Sequence, residues 1–232
     1  MTNPSARPQA QPFAIIAGDG PGLGMQLLKT LTESGYRAIG LGRQHRPWQY
    51  PHYNVDLANV EHTQTVLADI IDQYGVPQVV IHNTAQLSIK PFVNTSATEF
   101  TLAWQNMVLS AFHIAQFLLP KMAQQGSGTW LTSGATASLR GGANFSAFSS
   151  AKFALRGLTQ SLARTYQSQG IHVAHVVLDG ILDTAASREM HHLSSDRMAK
   201  LEDIAASYLY LINQAPSAWT HELDLRPMTE AF

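Results

Sequence analysis

The chain has no cysteine among its 232 residues, which excludes disulfide bridges, thiolate nucleophiles and cysteine-ligated metal sites. Only 13% of its residues are charged, and 15 basic against 16 acidic residues give a formal net charge of -1. No overall field therefore attracts nucleic acid or an anionic membrane. No apolar run approaches the roughly 18 to 20 residues of a membrane span. The first twelve residues lack the apolar core of a signal peptide. We expect a cytoplasmic protein that binds a small molecule, with no nucleic-acid partner, no membrane contact and no metal.

Apolar residues, by contrast, are abundant, and their spacing predicts the fold. At 45% hydrophobic residues, the chain can bury one large core. Short runs rich in isoleucine and valine alternate with stretches of helical spacing, which is typical of a parallel sheet covered on both faces. We predict a single doubly wound α/β domain of the Rossmann type over 13–232, after a disordered tail over 1–12. The predicted strands are 12–18, 36–42, 77–83, 128–134 and 171–180, and the predicted helices are 23–34, 60–74, 97–124 and 147–169.

A glycine-rich turn, "AGDGPGLG" over 17–24, joins the first strand to the first helix. Without Cβ atoms, Gly18, Gly22 and Gly24 let the backbone turn tightly and approach a pyrophosphate closely. The helix that begins near Leu23 then offers free N–H groups and the positive end of its dipole to the phosphates. The alternative is a tight strand-to-helix turn without a ligand. The position directly after the first strand favours nucleotide binding.

Several further motifs follow in a fixed order along the chain. They are "VDL" (55–57), "HNTA" (82–85), the lysine of "NFSAFSSAKFAL" (144–155) and "LDGILDT" (178–184). With the Gly-x-x-x-Gly-x-Gly spacing of the turn, they make the chain resemble the short-chain dehydrogenase/reductase family from about residue 13 to about residue 225. The resemblance implies hydride transfer between a nicotinamide cofactor and a small carbonyl or alcohol, or an activated C=C bond.

The resemblance also assigns cofactor contacts to individual residues. It implies that Asp56 contacts the adenine, that Asn83, kept from the family's Asn-Asn-Ala-Gly motif, binds the cofactor, and that Gly180 and Thr184 belong to the segment over the nicotinamide. Lys152 matches the lysine that holds the nicotinamide ribose. Family members also pair the two helices around 102–119 and 148–162, so the resemblance implies a homodimer or homotetramer.

The end of the second strand bears on the choice between NAD(H) and NADP(H). NAD sites usually place an acid there, roughly 20 residues after the glycines, to accept from the ribose 2'-hydroxyl. The segment "GLGRQHRP" contains no acid and instead carries Arg43 and Arg46. A guanidinium facing a 2'-phosphate forms charge-assisted hydrogen bonds worth about 1.5 to 3 kcal/mol each. We predict NADP(H) over NAD(H); the alternative is that both arginines lie on a solvated loop.

The catalytic positions implied by the family are mostly vacant. The family's acid–base tyrosine stands four residues before the lysine, where this chain has Phe148. Its oxygen-polarising serine stands thirteen residues earlier, at Ala135. The family's asparagine falls on Met107. The alternative is a misalignment by one residue, which would put the neighbouring Asn106 at that position.

Three functions remain open on these residues. The first is an oxidoreductase with Lys152, Ser133 and Ser149 as catalytic candidates, which takes its proton from water or a serine or whose substrate, such as an activated C=C bond, needs no strong acid. The second is a nucleotide-binding sensor without chemistry. The third is a structural subunit that pairs with an active relative.

Overall fold

A computed structural model describes residues 11–45 and 47–230 of the chain. Within them, a seven-stranded sheet has the order β3-β2-β1-β4-β5-β6-β7, and every neighbouring pair of strands is parallel. The doubly wound parallel sheet predicted from the alternating apolar runs is thus confirmed. The strands are β1 (Phe13–Ala17), β2 (Arg37–Gly42), β3 (His52–Asn54), β4 (Val79–His82), β5 (Gly128–Ser133), β6 (Ile171–Leu178) and β7 (Glu222–Leu225).

Helices cover both faces of the sheet, as parallel crossover connections require. They are α1 (Leu23–Glu33), α2 (Val60–Tyr74), α3 (Ala97–Trp104), α4 (Ser110–Gln125), α5 (Ser146–Tyr166), α6 (Ala185–His191) and α7 (Leu201–Ile212). Residues of α2, α4 and α5 form one core with one face of the strands, and α1 and α7 form a second core with the other face. Successive strand residues alternate between the two: Trp130 packs in the first core and Leu131 in the second.

The predicted helix over 97–124 differs in one respect from the observed one. It begins with the expected capping box of Ser96 and Glu99, but a π-helical turn, Gln105–Leu109, separates α3 from α4. The carbonyl oxygen of Asn106 accepts hydrogen bonds from the hydroxyls of Thr84 at 2.8 Å and Ser110 at 2.7 Å. These side-chain donors compete with the regular helical bonding, which is a common origin of such turns.

The sheet order reverses direction between β1 and β4, since the chain winds outward on both sides of this pair. The crevice at the carboxyl ends of these strands is where open α/β sheets bind ligands.

Over the residues that the structure covers, no helix is long and apolar enough to cross a bilayer. The same residues contain no group of three acidic, histidine or cysteine side chains placed to hold a metal.

Candidate active site

A cavity of about 970 Å³ opens at the carboxyl ends of the strands, above the reversal point of the sheet. The loops after the six strands β1 to β6 and the start of α5 form its walls. Arg46, the second arginine considered for the 2'-phosphate, lies outside the described residues. The cavity brings together every other residue expected at the site: Gly18, Gly22, Leu23, Gly24, Arg43, Asp56, Asn83, Ser133, Ser149, Lys152, Gly180 and Thr184.

The glycine turn has no room for a side chain at Gly18 and Gly24. At Gly18, with φ of 91°, a Cβ atom would lie 2.8 Å from the backbone of Asn83, and at Gly24 it would lie 2.7 Å from that of Asp19. Asn83 fixes the turn by donating from Nδ2 to the carbonyl oxygen of Gly18 at 2.9 Å. Helix α1 begins at the cavity with no side-chain cap on its first N–H groups. An uncapped helix start beside a bare backbone fits the pyrophosphate of a dinucleotide.

Near the carboxyl ends of β2 and β3, the cavity is lined by charged side chains. Arg43 is exposed at its edge, and Asp56 is exposed and accepts from the backbone N–H of Ala58 at 3.1 Å. A third charged residue, Asp19, also lines the cavity and is only 1% exposed. Its Oδ2 lies 2.5 Å from Nδ1 of His52. Sequence reasoning missed this carboxylate.

The segment after β6 closes the cavity on the side of the C-terminus. Gly180 has a φ of 154°, and a Cβ atom there would lie 2.6 Å from Cδ of Pro227. Thr184 caps α6, since its hydroxyl accepts from the N–H of Ser187 at 3.0 Å. Asp179, which stands where the family usually has proline, accepts from the hydroxyl of Thr136 at 2.5 Å and pairs with Arg226. This buried carboxylate therefore ties the C-terminal segment to the loop after β5.

Lys152 is the buried cation of the site. It is 2% exposed, and its Nζ donates to the carbonyl oxygen of Ser133 at 2.8 Å and to that of Thr84 at 3.5 Å. Burial disfavours the charged ammonium and lowers the pKa of Lys152 from 10.5 to about 8. The side chain therefore exchanges its proton much closer to neutral pH than an exposed lysine does.

The positions of the family's other catalytic groups hold apolar side chains in the structure too. The ring of Phe148 lies on the cavity, with its centroid 5.7 Å from Nζ of Lys152, and Ala135 lines the same wall. Met107 is fully buried in the core, whereas Asn106 lines the cavity and donates from Nδ2 to Oε1 of Gln86. Of these two neighbours, Asn106 is the residue that faces the site.

The two serine candidates differ in where their hydroxyls lie. The hydroxyl of Ser133 is 2.7 Å from that of Tyr208 on α7, on the face of the sheet away from α5. Ser133 therefore offers the cavity its carbonyl group rather than its hydroxyl. Ser149 is 6% exposed and lines the cavity, and its hydroxyl has no hydrogen-bond partner among the described residues. A buried hydroxyl without a partner is costly; of the two serines, Ser149 is the one whose hydroxyl is not already paired, although its oxygen is buried.

The sequence pattern of one protein family, described as short chain dehydrogenase, matches residues 12–193. The chain belongs to the short chain dehydrogenase family. A 3alpha-hydroxysteroid dehydrogenase of Mediterraneibacter gnavus is 26% identical over 234 residues, which span 90% of this chain and 93% of that protein. Membership confirms the resemblance and the general assignment to the oxidoreductases of this family.

Solved structures show the same fold at low sequence identity. A tyrosine-to-phenylalanine variant of ElxO with NADPH bound superposes with a TM-score of 0.86 at 19% identity, covering 94% of this chain and 98% of that one. A 4-hydroxyisoleucine dehydrogenase complexed with NADH has a TM-score of 0.84 at 20% identity, covering 94% and 98%. The fold is thus found with either nicotinamide cofactor.

One signal in the sequence points to the missed carboxylate. Gly40 and Gly42 stand two residues apart in β2, so both lack a side chain on the same face of the strand. Glycine inside a strand often marks the close approach of another group. That group is the side chain of Asp19, which fills the space above both glycines.

Proposed function

We propose that the protein is an NADP(H)-dependent oxidoreductase that reduces a small carbonyl compound or an activated C=C bond, with Lys152 as the proton donor. The observation that carries the proposal is the buried ammonium on the cavity wall, beside a glycine turn built for a dinucleotide. NADP(H), when bound, supplies or accepts the hydride. The remaining chemistry belongs to side chains of this chain.

Within the described part of the chain, Lys152 has hydrogen-bond partners for two of its donors. An ammonium group has three N–H bonds, and two of them point to the carbonyl oxygens of Ser133 and Thr84. The third is available to a ligand in the cavity. Because burial lowers the pKa of Lys152 to about 8, the group is mostly protonated at neutral pH and yet gives up its proton readily. A general acid works best when its pKa lies near the working pH.

Reduction builds negative charge on the substrate, and Lys152 can neutralise it. On a carbonyl substrate, the proton passes from Nζ to the oxygen, and the neutral amine regains a proton from water. In the reverse direction, the neutral amine accepts the proton of the alcohol. In this proposal the side chain of Ser149, whose buried hydroxyl has no partner among the described residues, turns to the cavity and donates a hydrogen bond to the substrate oxygen or to a water beside it. One preorganised donor of this kind is worth about 3 to 4 kcal/mol in the transition state.

Part of the cavity wall is apolar, which favours an apolar substrate. Leu87 and Ile89 follow β4, Phe145 precedes α5 and Leu182 follows β6, and all four line the cavity. Apolar lining with few polar groups is typical of sites that bind small organic molecules. The relative from Mediterraneibacter gnavus, named as a hydroxysteroid dehydrogenase, supports a hydrophobic carbonyl or alcohol as the substrate class.

The proposal is tested by NADPH consumption. Purified protein is mixed with NADPH and a panel of diketones, quinones, hydrophobic ketones and enones, and loss of NADPH absorbance is followed. We expect turnover of at least one class. Tight NADPH binding without turnover of any substrate on the panel would instead indicate a nucleotide-binding sensor. Phe148 and Ala135 favour that function, because they line the site where the family has a tyrosine and a serine.

We predict that Arg43 sets a preference for NADPH. If its guanidinium meets the 2'-phosphate, NADPH binds at least tenfold more tightly than NADH, a margin of about 1.4 kcal/mol. Arg43→Ala then removes most of that margin. Titration calorimetry with both nucleotides measures it, and Arg164→Ala, at an exposed site on α5, serves as the control. An Arg43→Ala protein that keeps the wild-type ratio of the two affinities would show that Arg43 lies only in solvent.

We predict a homodimer or homotetramer from the surface of α3, the π turn, α4 and α5. Large apolar side chains are exposed there to between 37% and 43%: Leu102, Trp104, Leu109, Phe112 and Phe153. Apolar patches of this kind mark interaction surfaces. Light scattering at micromolar concentration is expected to give at least twice the chain mass of 25.4 kDa. Phe112→Glu together with Phe153→Glu is expected to yield monomers, whereas a monomeric wild-type protein would refute the prediction.

A further inference from the structure

The acid that the sequence of β2 lacks is present in the structure, supplied by the glycine turn. Cγ of Asp19 lies 2.9 Å from where a Cβ atom on Gly40 would stand, and 3.5 Å from one on Gly42. Any side chain at either position would displace the carboxylate. Asp19, Gly42 and Arg43 line the same cavity. The end of β2 thus carries both an arginine and a carboxylate.

His52 holds this carboxylate in place. It comes from β3, where it pairs in register with Gly40, and its Nδ1 lies 2.5 Å from Oδ2 of Asp19. The two side chains are 6% and 2% exposed. Nε2 of His52 is buried and has no hydrogen-bond partner within the described part of the chain. Nδ1 of His52 therefore holds the carboxylate of Asp19, and the two side chains form one buried pair beside the end of β2.

We propose that Asp19 is a specificity-determining residue for the adenosine ribose, which accepts a hydrogen bond from a 2'-hydroxyl and opposes a 2'-phosphate. In the dinucleotide fold, a carboxylate at the end of the second strand has this role. Here the carboxylate reaches the same place from the first turn. The inference rests on the proposed function, because it requires the cavity to bind a nicotinamide dinucleotide.

The two charges differ in how strongly water screens them. Arg43 is exposed, whereas Asp19 is buried, so the field of the carboxylate is less attenuated. The ratio of NADPH to NADH affinity is therefore a balance in which Arg43 favours the phosphate and Asp19 limits that preference. The protein binds both cofactors, and the margin in favour of NADPH is smaller than Arg43 alone would give.

Asp19→Asn tests the balance, because it removes the charge and keeps the shape of the side chain. Calorimetric titrations measure the affinities for NADPH and NADH in the wild-type protein and in the variant. The ratio of the two affinities is expected to rise at least tenfold in Asp19→Asn. Asp72→Asn makes the same change at an exposed position of α2 and is expected to leave the ratio unchanged.

Equal effects on both affinities would overturn the inference, since they would mean that Asp19 only supports the turn. A wild-type protein that binds neither nucleotide would refute the proposed function itself. A second measurement needs no variant: wild-type protein is titrated with ADP and with 2'-deoxy-ADP. The inference predicts that the loss of the 2'-hydroxyl weakens binding about tenfold, the cost of one charge-assisted hydrogen bond; equal affinities would contradict it.

Discussion

Lys152→Met is expected to lower the turnover number at saturating NADPH by at least about 100-fold, the smaller end of the range for general acid catalysis. Methionine has nearly the same length and suits the buried position, but it cannot donate a proton. NADPH binding is expected to weaken as well, since the ammonium also faces the cavity. Saturating cofactor separates the two effects, because a residue that only holds NADPH changes its dissociation constant and leaves the saturated rate intact.

Lys29→Met is the matched control for this substitution. Lys29 is exposed on α1 and lies outside the cavity wall. Its replacement is expected to leave both the rate and the cofactor affinity unchanged. A Lys152→Met protein that binds NADPH and keeps the wild-type rate would remove Lys152 from the mechanism and transfer the proton donor's role to Ser149 or a water.

Phe148→Tyr combined with Ala135→Ser is expected to raise the specificity constant for generic diketones by at least about 100-fold, since each restored donor is worth about 3 to 4 kcal/mol in a transition state of this kind. The nearby ammonium of Lys152, 5.7 Å from the centre of the present ring, would lower the pKa of the new phenol by stabilising its charged form. Because both groups act on one oxygen, the double variant should gain more than the product of the single gains.

The native reaction is expected to respond in the opposite direction. If Lys152 already delivers the proton, the phenol of Phe148→Tyr enters the space next to its ammonium and slows turnover of the native substrate. A double variant that binds NADPH and shows no gain on any substrate of the panel would contradict the view that the two vacant positions limit carbonyl reduction. The shape of the substrate wall would then be the cause.

Most of the sheet was predictable because its strands are continuous apolar runs. β3 and β7 were not predicted, because both are short, contain polar residues and are not fully buried, so neither is a continuous apolar run. Helix α7 was not predicted either, and this affected the site. Ser133 was a catalytic candidate, but its hydroxyl is hydrogen-bonded to that of Tyr208 on this helix. The glycine turn and Lys152 were found because their roles depend on local spacing.

The role of Asp19 was beyond the reach of local pattern. Its carboxylate lies against β2 and His52, which follow it along the chain by about 20 and by 33 residues. Only the parallel pairing of β1 with β2, and of β2 with β3, brings these groups together. Charge chemistry that depends on strand register can be inferred only once the topology is known.

The pH dependence of reduction by the wild-type protein tests the role of Lys152 most directly. The ammonium is the donor, so the specificity constant at saturating NADPH should be constant below about pH 7 and fall tenfold per pH unit above the pKa of Lys152, about 8. Oxidation of the alcohol product should rise through the same range, because it needs the neutral amine. A reduction rate that stays constant to about pH 10, near the ordinary pKa of a lysine, would contradict the proposal that a buried Lys152 supplies the proton.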